Sequence, residues 1–221
     1  MNPFGSLQWK LAQALEWRWW RQYLKGKSKP QYLQWKKQYW QGFLQQIATV
    51  LPPLNPTMRI LDAGCGPAGI FTVFTQQQTV VALDPLLDQY QQKLPHFCPA
   101  DYPNVQFICQ PLEDYSPALP FDVVFCLNAI NHVARIDQCM DNLAMATKPG
   151  GYLVLSIDAH NHPILKRLFR LVPADALHPH QYSLQEYEQL LVSRGFTMVK
   201  SLLLKQEFIF GYWALVAQKG N

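Results

Sequence analysis

The sequence predicts an α/β fold: a doubly wound, mainly parallel sheet preceded by a helical extension. Three observations carry this. Short apolar runs alternate with helical segments from residue 58 to residue 157, the rhythm of strands joined by crossover helices. Arg59-Ile-Leu-Asp-Ala-Gly-Cys-Gly-Pro-Ala-Gly69 reads as a buried strand, a tight glycine turn and a helix start, and Asp84 follows twenty residues after Gly64. The first 41 residues hold six of the seven tryptophans, and eight Lys or Arg against the single acid Glu16.

Each element has its own signal. Leu7, Leu11, Leu15, Trp19 and Tyr23 recur every fourth position, which predicts an amphipathic helix over 6–25. Lys25-Gly-Lys-Ser-Lys-Pro30 breaks it, and Ser28 and Pro30 suit the start of a second helix over 31–50. Tyr32, Trp35 and Tyr39 line one edge of that helix, beside a seam of Trp40, Phe43, Leu44 and Ile47. Pro52, Pro53 and Pro56 make a linker, dividing an extension over 1–51 from a main domain over 57–221. Strands are expected near 58–62, 79–84, 104–109, 121–127 and 150–157, with helices near 68–76, 86–93 and 136–147. The rhythm then changes. A helix near 162–171, a loop His178-Pro-His-Gln-Tyr182, a helix over 184–194 closed by Gly195, and strands near 196–205 and 207–218 complete the chain.

Composition bounds the class. A chain of 221 residues, 49% hydrophobic and 15% charged, forms one sizeable core with room for a terminal subdomain. Charged residues interrupt every early apolar window, so no signal peptide is expected, and no run reaches the roughly 20 apolar residues of a membrane span. Cys65, Cys98, Cys109, Cys126 and Cys139 are odd in number and lack a Cys-x-x-Cys pair. That suits a reducing cytoplasm, and no metal site is expected. Residues 1–41 carry a balance of +7 and the remainder −3, so the basic character belongs to the extension.

Glycines at 64 and 66 remove the side chains that would keep a ligand from the backbone, and Asp84, ending the second strand, can accept hydrogen bonds from ribose hydroxyls. Gly64-x-Gly66-x-x-Gly69 is also a dinucleotide pattern. Asp62, two residues before Gly64, argues against it: a carboxylate there repels a pyrophosphate and suits a cationic amino-acid group.

With Lys148-Pro-Gly-Gly151 before a further apolar strand, the chain resembles the class I S-adenosylmethionine-dependent methyltransferases. LDAGCG (61–66) looks like their first motif, VVALDP (80–85) the acidic second, FDVVFCLNAINHV (121–133) the fourth-strand region and KPGGYLVLSI (148–157) the fifth. The resemblance implies a Rossmann-like, seven-stranded sheet closed by an antiparallel terminal hairpin, and S-adenosylmethionine as cofactor. It implies that Gly64, Cys65 and Gly66 pass under the methionine portion, with Asp62 near its ammonium. Asp84, with Pro85 beside it, would hold the ribose, and Asn128 or Ala129 would meet the amino-acid end. Adenine recognition departs from the family pattern, because Pro111 stands where relatives often have an acid; Leu112 and Glu113 are left to serve the base. His132, just past the fourth strand, is the candidate general base if the acceptor must lose a proton; loop organisation is the alternative.

Three readings of the extension stay open. As a lid it would wall the acceptor site with Tyr39 and Trp40, while His178, His180 and Tyr182 edge the same pocket from the late loop. As a membrane-surface element it would set tryptophans at an anionic interface. As a nucleic-acid binder it would stack bases, but the strand-end motifs of DNA methyltransferases are absent. The reading overall is methyl transfer to a small, apolar or aromatic acceptor. A cofactor-binding interaction protein without turnover, or a methyltransferase of nucleic acid or protein, is the alternative.

Overall fold

The computed structural model describes residues 3–74, 78–161 and 182–221, with side chains from residue 10 onward. Two helices lead, α1 (Pro3–Leu24) and α2 (Lys29–Ile47), with Pro30 in the first turn of α2. Strands β1 (Arg59–Ala63), β2 (Thr79–Leu83), β3 (Val105–Ile108), β4 (Phe121–Leu127), β5 (Thr147–His160), β6 (Phe196–Gln206) and β7 (Phe210–Lys219) form one sheet. Helices α3 (Leu87–Lys93), α4 (Ile136–Ala146) and α5 (Leu184–Val192) pack on it.

The sheet order is β3-β2-β1-β4-β5-β7-β6. All pairings among β1–β5 are parallel, and β7 runs antiparallel to both β5 and β6. The sheet is therefore the expected doubly wound, Rossmann-like one with its antiparallel terminal hairpin. Strand order reverses between β1 and β4, which opens a crevice at their carboxyl ends. Ile60, Leu61 and Ala63 on β1 and Val124, Phe125 and Cys126 on β4 are fully buried, as strands covered on both faces must be.

The two faces have separate cores. On one, Trp40, Phe43 and Ile47 of α2 pack with Ile60, Val80 and Phe125. On the other, Met140 and Leu143 of α4 and Tyr187 of α5 pack with Leu61, Val124 and Leu155. The N-terminal helices thus share a core with the sheet.

One expectation needs correction. The segment after β1 is not an α-helix over 68–76 but two 3-10 turns, Gly66–Ala68 and Ile70–Val73, hinged at an extended Gly69 (φ −73°, ψ −171°). The Asp62 carboxylate accepts the Phe71 N–H at 3.0 Å, and a Cβ on Gly69 would stand 2.4 Å from that carboxylate. The buried acid therefore holds the chain open at Gly69, and β-branched Ile70, Thr72 and Val73 add little helical preference. Strand β5 is also longer than expected, because Lys148-Pro-Gly-Gly151 belongs to it. The helix expected near 162–171 lies outside the described residues.

Candidate cofactor and acceptor site

The crevice at the β1/β4 switch is a cavity of about 460 Å³, within the range of roughly 300–1,000 Å³ usual for small-molecule sites. Its floor is the glycine turn. Gly64 N–H and Cys65 N–H both donate to the Leu83 carbonyl, at 2.7 and 3.0 Å. Gly64 has φ +73°, and a Cβ there would fall 2.2 Å from the Ala129 Cβ. Only glycine fits between the two strand ends.

Asp84 ends β2 and is 4% exposed. One carboxylate oxygen accepts the Gly66 N–H at 2.9 Å and the other the Leu86 N–H at 2.8 Å. An ionised carboxylate has about four acceptor positions, so Asp84 keeps capacity for further donors on the cavity side, which it lines. Burial lifts its pKa to about 6, opposed by those two amides. Asp62 does not line the cavity. It lies under the turn, 2% exposed, with burial raising its pKa to about 7 against the Phe71 amide. Its visible work is capping.

Cys65, Gly66, Pro85, Leu112, Glu113, Asn128, Ala129 and His132 all line the cavity, as does Trp40. Burial pushes the Cys65 thiol well above its usual range, so it stays a thiol and is no nucleophile. Asn128 adopts φ +53°. It is held by Ser156, whose hydroxyl takes the Asn128 N–H at 2.8 Å and donates to the Asn128 Oδ1 at 2.9 Å. Glu113 Oε1 accepts the Ala134 and Arg135 N–H groups at 2.7 and 3.3 Å, so this acid anchors the start of α4 while bordering the cavity. His132 closes a 3-10 turn after β4.

The acceptor-pocket residues separate. Trp40 donates its indole N–H to the Ala68 carbonyl at 2.9 Å and walls the cavity. Tyr39 is 44% exposed and outside the lining, its ring edge-on to Trp40 with centroids 4.8 Å apart. Tyr182 is also outside the lining; its ring packs on Tyr187 with centroids 5.4 Å apart, and its carbonyl accepts the His160 N–H. His178 and His180 lie outside the described residues.

From the N-terminal helices, sequence reasoning named only Trp40 of the lining and missed Gln13, Glu16, Trp19 and Trp20 of α1 and Lys36 of α2; along the strand ends it also passed over neighbours such as Ala68, Leu83 and Leu127. The signal was present: 13, 16 and 20, like 36 and 40, share a helical face. Burial and the nearby Asp84 charge raise the Glu16 pKa to about 8. Burial lowers that of Lys36 to about 8, with Asp62 opposing, and its ammonium lies 4.6 Å from the Trp40 ring centroid. A buried carboxylate with spare acceptor positions, a glycine floor, and charges of both signs fit a ligand carrying ribose and a zwitterionic amino acid. Among the described residues no three His, Cys, Asp or Glu stand together as metal ligands.

Comparison with known proteins agrees with this geometry. A family described as "Methyltransferase domain" matches residues 32–201. The ubiquinone biosynthesis O-methyltransferase of Rickettsia bellii is 32% identical over 100 residues, covering 45% of this chain and 41% of that protein. Its namesake from a Bradyrhizobium strain is 28% identical over 100 residues, 45% of this chain and 39% of its own. The chain thus matches about two fifths of the length of these curated relatives. Among solved structures, magnesium protoporphyrin IX methyltransferase from Synechocystis PCC 6803 with bound SAH has a TM-score of 0.65 at 18% identity, covering 98% of this chain and 99% of that one. The Burkholderia thailandensis 1,6-didemethyltoxoflavin-N1-methyltransferase has a TM-score of 0.56 at 16% identity, covering 84% and 79%. At such identities these two show a shared fold. With a family match over most of its length, the chain belongs to the methyltransferases, in the S-adenosylmethionine-dependent class I.

Proposed function

We propose that this protein transfers a methyl group from S-adenosylmethionine to a small, apolar or aromatic acceptor in the cytoplasm. The observation that carries the reading is the make-up of one cavity: the Asp84 carboxyl at one strand end, and Trp19, Trp20 and Trp40 from the N-terminal helices across it. When bound, the cofactor supplies an activated methyl group on a positively charged sulfur. The chain's part is to hold and exclude. Asp84 accepts from the ribose, the glycine turn admits the ligand to the backbone, and Leu112 and Glu113 border the base. Residues 1–51 act as a lid that keeps water from the reacting atoms, so that positioning supplies most of the rate. His132, on the cavity wall, removes the proton of an acceptor hydroxyl. The relatives named for ubiquinone biosynthesis support an aromatic, lipophilic acceptor.

The test is transfer of radiolabelled methyl from S-adenosylmethionine into host extract, partitioned between organic solvent and water. Label in the organic phase is expected. Label confined to water overturns the apolar acceptor, and S-adenosylhomocysteine binding without any transfer would instead mark an interaction protein without turnover.

A further inference from the structure

We propose that the outer face of α1 docks on an anionic lipid bilayer, with Trp19 at the edge of the contact. The single acid of the first 41 residues, Glu16, lines the cavity, as do Gln13 and Trp20. The opposite side of the helix carries only cations and neutral groups. Lys10, Arg18 and Arg21 are exposed. At 3.6 residues per turn they fall within an arc of roughly 80°, and exposed Lys25 follows in the closing turn. Among the described residues no carboxylate pairs with any of the four. Lys29, by contrast, reaches Asp101 at 2.9 Å.

Apolar groups adjoin this arc. Leu11, 53% exposed, sits beside Arg18, and Trp19, 51% exposed, continues round toward the cavity it also lines. Tryptophan prefers the boundary between head groups and acyl chains, and lysine or arginine is drawn to anionic lipid. No described helix is long and apolar enough to cross a membrane, so the contact is a surface one. The charges argue for a bilayer over a solvated face: four cations on one side with no carboxylate partner among the described residues, and the one acid of the extension turned inward. A bilayer also presents an apolar layer for Leu11 and Trp19, which a nucleic-acid backbone does not. This inference rests on the outer surface and holds whatever the methyl acceptor proves to be.

The experiment is flotation of the full chain with phosphatidylcholine vesicles, with and without one quarter phosphatidylglycerol, at low and at 0.5 M salt. Each cation near an anionic surface contributes about fivefold to partitioning. The chain should float with the anionic vesicles at low salt only. The Lys10→Gln, Arg18→Gln, Arg21→Gln, Lys25→Gln variant should lose roughly a hundredfold or more, with unchanged circular dichroism and unchanged S-adenosylhomocysteine affinity. Leu11→Gln alone should weaken binding severalfold. Equal binding to neutral vesicles, undiminished binding by the fourfold variant, or binding to a single-stranded oligonucleotide in place of vesicles would each overturn the proposal. Should the fourfold variant misfold, salt dependence on the unaltered chain decides.

Discussion

The Trp40 indole N–H donates to the Ala68 carbonyl at 2.9 Å, joining residues 28 apart in sequence inside the core. This bond ties α2 to the segment that floors the cavity, so the position of α2 and the shape of the glycine turn are set together. Trp40→Phe keeps a ring and removes the donor. It should lower stability by about 1–3 kcal/mol, the cost of a buried carbonyl left without a partner, read from urea unfolding. An unchanged midpoint would show that water replaces the indole.

Gly64→Ala should be far costlier than Gly26→Ala. Both glycines have positive φ, +73° and +76°, but a Cβ on Gly64 meets the Ala129 Cβ at 2.2 Å while one on Gly26 meets nothing within 4 Å. The backbone penalty of roughly 1–2 kcal/mol is common to both, so the difference in unfolding free energy isolates the clash. Similar losses would mean that the β4 end yields easily.

Asp84→Ala should weaken S-adenosylhomocysteine binding by about 1–3 kcal/mol in calorimetry, since the ribose hydroxyls lose their acceptor. Asp84→Asn retains one acceptor oxygen and should lose less. Full affinity in both variants would place the ribose elsewhere.

The free protein should lose stability as pH rises. Burial, then the neighbouring Asp84 charge, raises the Glu16 pKa from 4.5 to about 8. A carboxyl with a raised folded-state pKa binds a proton that the unfolded chain has released. Its contribution is therefore complete below pH 4.5 and is lost as pH climbs toward 8. Glu16→Gln, which cannot ionise, should show a shallower fall in melting temperature between pH 6 and pH 8. Parallel curves would mean that Glu16 is solvated.

His132→Ala should cut kcat by roughly 10²–10⁴-fold while leaving cofactor affinity unchanged, the range for loss of a general base. Equal losses in both would assign His132 to the architecture of the turn after β4.

The pattern of residues alone determined the sheet, its glycine turn and its acidic strand end. Ile60, Val80, Val123 and their neighbours are apolar runs that only a sheet covered on both faces can bury, and the Gly64 and Asp84 positions follow from their places at strand ends. These signals are local, so they survive without knowledge of contacts. Other features were settled only in three dimensions. The segment after β1 sits where a crossover helix is expected, yet Asp62, nine residues before its partner Phe71, opens it at Gly69. Glu16, Trp20 and Lys36 are ordinary positions on amphipathic helices until α1 and α2 fold across the β1/β4 crevice and bring them to Asp84 and the turn. Periodicity tells which face of a helix is buried; what that face meets depends on packing between elements far apart in the chain. Tertiary structure therefore decided the wall of the cavity, while the sequence by itself determined its floor.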